Sequence, residues 1–293
     1  TCGTPRIFEE AARKYVFRTM GHATADNVAA AMYVKEKFPD MKGYTGINQN
    51  YAWGQDSWRD FDLTLQQIMP NTKASDKTQF PKIFAGQYGS EISAMSLDKA
   101  DLVHTSFWGG DLEAFIFQGN ARGLFKKKIG VFTVGGTAAY RLGKKLPNGL
   151  VLGARGPYGI LVRDRDTALN NWFVSTYKNL YGTYPSGPAY QYGQAILAAK
   201  IAYDKAGSDA TNEQLADALR GISFESFSTT IEMKLGNGHQ AATENGYGIT
   251  EYDSENGENV VKDVKFYPAS CVLPPEGQNS VDWIKGGMKG AKC

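Results

Sequence analysis

The chain has 293 residues, enough for one large domain or two lobes of ordinary size, and two lobes are the starting expectation. With 42% hydrophobic and 21% charged residues it can bury a sizeable core, which excludes a disordered chain. Its 32 basic and 30 acidic residues nearly cancel and are scattered, so nucleic acid is not an expected partner, and no apolar run approaches the ~18 residues of a membrane span.

From residue 15 to 155, short apolar runs alternate with stretches of helical length, with Gly, Asn or Asp at the junctions. That rhythm predicts an α/β fold of repeated βα units around a parallel sheet. The expected strands, in order, are YVFRT, GYTGI, PKIFAG, DLVHTSF, IGVFTV and GLVLGA. Between them, ATADNVAAAMYVKEKF offers Thr24 as a helix N-cap, and DLEAFIFQGNARGLF starts on Asp111, where the helix dipole favours an acid.

After Arg155 three helical segments follow with little strand between them: RDRDTALNNWFVSTYKNLYG, GPAYQYGQAILAAKIAYDKAG and TNEQLADALRG. FESFSTTIEMKL, the turn GNGH, YGITEYD and VVKDVKFYP then predict strands again. An α/β stretch, a helical stretch and a return to strands is the order of a lobe that is interrupted and resumed.

The three cysteines, Cys2, Cys271 and Cys293, have no zinc or redox spacing. A disulfide between Cys271 and Cys293 would close an irregular Pro/Gly-containing tail and suit an oxidising compartment; two unpaired thiols are the alternative. With that pair formed, Cys2 is expected to find its mate outside this chain.

No stretch has P-loop spacing, and GGTAAY is not the glycine pattern of a dinucleotide site, so no cofactor is expected. His22, His104 and His239 lie far apart without paired-ligand spacing, and His104 inside an apolar strand reads as a hydrogen-bonded core histidine, so no metal is expected either. Without a nucleophile elbow, catalysis has no support.

What remains is the placement of aromatics and glycines. In open α/β sheets ligands bind beyond the carboxyl ends of the strands. Tyr51 and Trp53 follow one expected strand, Phe107 and Trp108 another, and Gly135, Gly136 and Thr137 a third. Aromatic walls supply apolar burial, while backbone N–H groups near glycines and helix N-termini hold a polar or anionic head. For any single aromatic, packing under a loop is the plainer reading; the coincidence at three strand ends favours a ligand cleft.

The chain resembles the type I periplasmic solute-binding proteins, in particular the branched-chain amino acid group of ABC-transporter receptors. The likeness rests on KYVFRTMGHATADN, NQNYAWGQ, DLVHTSFWGGDLEAFIFQGNARGLF, GLVLGARGPY and YGTYPSGPAYQYGQAILAAKIAYDKAG, in that order over most of residues 14–265. It implies two α/β lobes joined by three crossings, near residues 18–21, 152–155 and 234–237. Residues 1–19 would then be a remnant of the amino-terminal lobe, 20–152 the second lobe, 153–235 the helical part of the first, and 236–293 the return to the second lobe, hinge and tail.

The resemblance also implies a longer amino-terminal lobe than this chain carries, so the chain is expected to be a carboxyl-terminal portion of a longer protein, with Cys2 paired to a cysteine in the missing part. By position, Trp53 and Trp108, or Phe107, would line the cleft, Tyr190 or Ala189 would reach it from the opposite lobe, and Gly136 stands where amino-acid receptors place an acid against the ligand ammonium. The implied function is capture of a small amino acid, an aromatic or aliphatic carboxylate, or a small amide by hinge closure, for a membrane permease of an ABC importer, in the periplasm or at the cell surface. The first rival is a cytoplasmic ligand-sensing regulator on the same fold, for which Cys271 and Cys293 would tend to be reduced. The second is an enzyme with a scattered active site.

Overall fold

The computed structural model describes residues 2–11 and 13–293. Eleven helices are described: α1 Arg6–Glu9, α2 Ala23–Lys37, α3 Ala52–Ile68, α4 Gly89–Leu97, α5 Gly109–Ala121, α6 Gly136–Leu142, α7 Ala168–Tyr181, α8 Gly187–Ala206, α9 Asn212–Leu219, α10 Ala269–Val272 and α11 Ser280–Lys285. The strands are β1 Gly43–Gly46, β2 Lys73–Ala74, β3 Leu102–Thr105, β4 Ile129–Phe132, β5 Val151–Gly153, β6 Ser223–Glu225, β7 Thr230–Leu235, β8 Gln240–Ala242, β9 Asn245–Asp253 and β10 Glu258–Tyr267.

Seven strands form one sheet in the order β10-β9-β5-β4-β3-β1-β2. β2, β1, β3, β4 and β5 run parallel, as the βα rhythm requires, and the hairpin of β9 and β10 adds antiparallel strands at one edge. Helices cover both faces, so the central strands are buried on both sides and read as short apolar runs rather than alternations. One core cluster packs α4, α5 and α6 around Phe107, Phe115 and Phe132; the other packs α2, α3 and α11 around Val28, Tyr44, Phe61 and Trp283.

A second, antiparallel sheet, β6-β7-β8, packs on α8 and α9 through a core of Ala198, Leu219, Phe224, Ile231 and Met233. The expected single strand FESFSTTIEMKL is therefore a hairpin, because 226–229 turn and Ser226 N–H closes onto Thr229 O at 3.1 Å. Thr167 caps α7 and Thr211 caps α9 in a capping box with Gln214, the local signals that set these starts. The chain passes from the large sheet to the small one after β5 and returns at 243–244. That return falls later than the expected 234–237 because β8 folds back onto β7 before leaving. Arg18 runs alongside, bridging Gln240 in β8.

Other expectations shift. YVFRT forms no strand beyond that one bridge, and PKIFAG forms none: Pro81 has no N–H to donate, Phe84 adopts φ 59°, and the sheet edge is taken by β2 instead. Thr24 is not the N-cap of α2, which is His22; the Thr24 hydroxyl instead donates to Asp60 at 2.7 Å. α5 begins at Gly109, two residues before Asp111. Cys271 and Cys293 are joined by a disulfide, and Cys2 is free.

Buried titratable groups set the expected pH dependence of stability. His104, stacked on Phe61 at 4.3 Å and hydrogen-bonded to Asn27 at 2.8 Å, is pushed down to about 3 by burial. His22 moves the same way, through burial and then the Arg18 charge. The unfolded chain protonates these rings near ~6.5 while the folded one does not, so their contribution is present above that pH and is lost as pH falls. Burial raises Asp26 to about 7 and Asp60 to about 6, so the folded chain keeps two protons that the unfolded chain releases near ~4. Their contribution has the opposite sign, fading as pH rises. Two protons in each direction cancel, so urea unfolding should give nearly level stability between about pH 4.5 and 6, with a steep fall only below about pH 4. A decline that starts at the ordinary histidine range would show at least one of the two aspartates ionised in the folded protein.

Candidate functional site

The loops after β1, β3, β4 and β5 open on one side of the sheet, facing the start of α8 in the second unit. Between them lies a cavity of about 460 Å³. Its wall includes Tyr51, Trp53, Trp108, Gly136 and Thr137 from the strand ends, Arg155 after β5, and Gln191 and Tyr192 of α8; Cys2, Gly3 and Thr4 complete it.

The polar stretch NQNYAWGQ holds the floor in place. The Asn48 side-chain oxygen accepts from Ser106 N–H at 2.8 Å and from the Ser106 hydroxyl at 2.7 Å, tying the loop after β1 to the loop after β3. Gln49 donates to Asp111 at 2.7 Å, a carboxylate that also takes Phe84 N–H at 2.8 Å. Gly54 is required because a Cβ there would stand 2.0 Å from Gln49 O. Trp53 is buried in the floor, its indole N–H donating to Ser106 O at 2.9 Å, and the more exposed Trp108 donates its N–H to the Tyr51 hydroxyl at 2.9 Å.

Residues 2–4 are pinned against this floor. Arg18 donates to Cys2 O and Thr4 O, both at 2.8 Å, Ala23 N–H to Gly3 O at 2.8 Å, and the Thr4 hydroxyl to Asp56 at 2.5 Å. Gly3 lies so close to Trp53 that any Cβ would sit 2.1 Å from the indole.

The charge on the cavity wall itself is of one sign. Arg155 is the one charged side chain among the described lining residues, its guanidinium 4.6 Å from the centre of the Trp53 ring. Burial lowers its pKa, partly offset by Asp26, and Arg18 lies behind it, lowered to about 9 by burial and by the Arg155 charge. The first turns of α3, α5 and α8 reach the cavity at Ala52, Gly109 and Gly187, and none has a side-chain cap on its N–H groups. The positive ends of the α3 and α8 dipoles thus add to the Arg155 charge, while Asp111 in the first turn of α5 offsets that helix's own. Among the described residues no group of three His, Cys, Asp or Glu could hold a metal ion.

Three residues expected at the cleft lie off it. Phe107 is fully buried between Tyr88 and Phe115, because neighbours in extended backbone point to opposite sides and Trp108 takes the cleft side. Gly135 faces Leu152 in the sheet. Tyr190 is 1% exposed, its hydroxyl donating to Asn170 at 2.9 Å, while Gln191 and Tyr192 reach the cavity from the same helix. Arg155, Tyr192 and the 2–4 segment were not anticipated; the arginine at the end of the strand GLVLGA was the available signal.

Residues 3–258 match the sequence profile described as periplasmic binding protein. No curated protein matches the chain. Among solved structures, the chain is similar to a solute-binding protein of an ABC transporter from Rhodopseudomonas palustris BisB5, in complex with 3,4-dihydroxybenzoic acid, with TM-score 0.76 and 19% identity over 91% of this chain and 70% of that one. It is similar to an amino acid ABC transporter substrate-binding protein from Pseudomonas fluorescens Pf-5, with TM-score 0.77 and 14% identity over 92% and 72%. It is also similar to a leucine-, isoleucine-, valine-, threonine- and alanine-binding protein from Brucella ovis in a closed conformation, with TM-score 0.68 and 18% identity over 93% and 70%. With a profile match across most of its length and a parallel sheet whose strand ends frame one cavity, the chain belongs to the periplasmic binding protein family.

Proposed function

We propose that the chain is the substrate-binding receptor of an ABC importer, capturing a small amino acid or a related carboxylate or amide between two lobes by hinge closure. One lobe carries the large sheet and the tail, the other α7, α8, α9 and the small sheet. The observation that carries the reading is the cavity walled by both: Tyr51, Trp53, Trp108 and Arg155 on one side, Gln191 and Tyr192 on the other. A ligand touching both walls binds the closed arrangement better than the open one and shifts the population toward it. The similar structures bind or are named for aromatic acids and amino acids, in keeping with such a cleft.

No bond is broken in this cycle: the receptor closes, meets its membrane permease and releases. The periplasm or cell surface is the matching location, and the Cys271–Cys293 disulfide, which belongs in an oxidising compartment, favours it over a cytoplasmic sensor. No helix among the described residues is long and apolar enough to cross a membrane.

A thermal-shift panel of amino acids, aromatic acids, short aliphatic acids and small amides tests the reading. A ligand at 100 times its dissociation constant adds about 2.7 kcal/mol, a readily seen rise in melting temperature. Silence across the whole panel would count against a receptor.

A further inference from the structure

We propose that a second cavity, apart from the cleft, is a binding site for a small monovalent oxyanion of acetate or bicarbonate size, held by Arg18 and His22. The cavity lies where residues 5–9, 18–22 and 235–240 meet the tail segment 274–279, and none of its lining residues borders the cleft. Its volume is about 190 Å³. That is roughly the share of six waters at ~30 Å³ each, room for a molecule of about four to six non-hydrogen atoms.

Arg18 supplies the reason for a charged occupant. The side chain is 7% exposed; its Nε donates to the Gln240 side-chain oxygen, and its Nη1 donates to Cys2 O and Thr4 O, both at 2.8 Å. All three acceptors are neutral. Among the described residues Nη2 has no hydrogen-bond partner, and the carboxylates that act on the Arg18 charge, Glu9 and Asp26, do so without a hydrogen bond to it. A buried guanidinium with no acid on it is expensive, whereas an oxyanion on Nη2 forms a charge-assisted pair. His22 lines the same cavity, 3% exposed, and its Nδ1 also has no partner among the described residues. Burial and the Arg18 charge keep that ring neutral, with one N–H to donate.

The rest of the wall limits what can enter. Glu9 accepts from Asn279 at 3.1 Å and from Ser280 N–H at 3.2 Å, and Glu276 accepts from Asn237 N–H at 2.8 Å. Both carboxylates thus have donors of their own, but their charge opposes a dianion more than a monoanion. Phe8, Leu235, Pro274 and Pro275 make much of the remaining surface apolar, which suits a compact anion that sheds its water easily. The site lies one guanidinium away from the cleft floor, because Arg18 also pins residues 2–4 there.

Thermal-shift titration with acetate and with bicarbonate, at constant ionic strength against chloride and sulfate, tests this. The expected result is a rise in melting temperature that saturates for one or both oxyanions and is absent for chloride, while sulfate, excluded from protein surfaces, gives only a rise that does not saturate. Gln278 is exposed and borders the cavity, so Gln278→Glu should keep the melting temperature of the free protein and raise the half-saturating concentration roughly tenfold. Arg18→Lys, which keeps the charge and loses the planar fork, should weaken binding by a similar factor. Tyr192→Ala, on the cleft wall, should leave the response in place. No saturable response to either oxyanion, an equal response to chloride, or a response unchanged in Gln278→Glu would overturn the inference. So would a response lost in Tyr192→Ala, which would put the acid in the cleft and leave the receptor reading standing. If Arg18→Lys does not fold, Gln278→Glu and Tyr192→Ala decide.

Discussion

Trp53→Ala should lower the unfolding free energy by about 3–5 kcal/mol and remove ligand binding together. The indole is 5% exposed, yet it is not a core residue of the ordinary kind. One edge is anchored by the bond to Ser106 O, one face carries the Arg155 guanidinium and another side is covered by Gly3. Truncation leaves a hole under residues 2–4, frees the arginine from its platform and strips the cleft of its floor. Urea unfolding of Trp53→Ala beside Trp172→Ala is the check. Trp172 is 57% exposed, so its removal should cost below about 1 kcal/mol. A Trp53→Ala protein as stable as the Trp172→Ala protein would contradict this account of the floor.

Loss of the disulfide is the second large effect. Cys271 and Cys293 are 22 residues apart, and closing a loop of that length stabilises by about 3 kcal/mol in the chain-entropy model. The loop contains α11, which packs on α3 and buries Trp283 and Ile284. Its 274–279 strap reaches both units: Glu276 accepts from Asn237 N–H at 2.8 Å, and Asn279 donates to Glu9 at 3.1 Å. Cys293→Ser should therefore unfold at lower urea concentration, and wild type treated with dithiothreitol should unfold with it. Equal stability with and without reductant would mean that helix packing alone holds the tail.

Much of the large sheet was legible because four of its parallel strands, β1, β3, β4 and β5, lie in short runs bounded by polar junctions. β1, β3, β4 and β5 fall inside the expected runs GYTGI, DLVHTSF, IGVFTV and GLVLGA. PKIFAG looked the same by composition, but its proline cannot donate to a ladder, and a two-residue β2 takes the edge. YVFRT pairs as a strand only with β8, far along the chain, a partner that local pattern cannot reveal.

The cleft was legible to the extent that strand ends set it. Tyr51, Trp53, Trp108, Gly136 and Thr137 border the cavity because each stands in a loop just beyond a correctly placed strand. Phe107 and Trp108 could not be separated without knowing which way the extended backbone turned. On α8 the same problem takes helical form, since two residues rotate the side chain by about 200°, so that Tyr190 is buried and Tyr192 reaches the cleft. Arg155 was hidden for another reason: a lone arginine after a strand has many readings, and only its stacking on Trp53 at the cavity wall gives it meaning.

Hydrogen–deuterium exchange with and without the panel compound that raises the melting temperature most is the direct test of the central claim. The account predicts added protection in two places at once, the loops at 51–53, 108–109, 136–137 and 155 and the first turns of α8 at 187–192. Protection confined to one side, or appearing only away from these segments, would contradict a ligand held between two lobes.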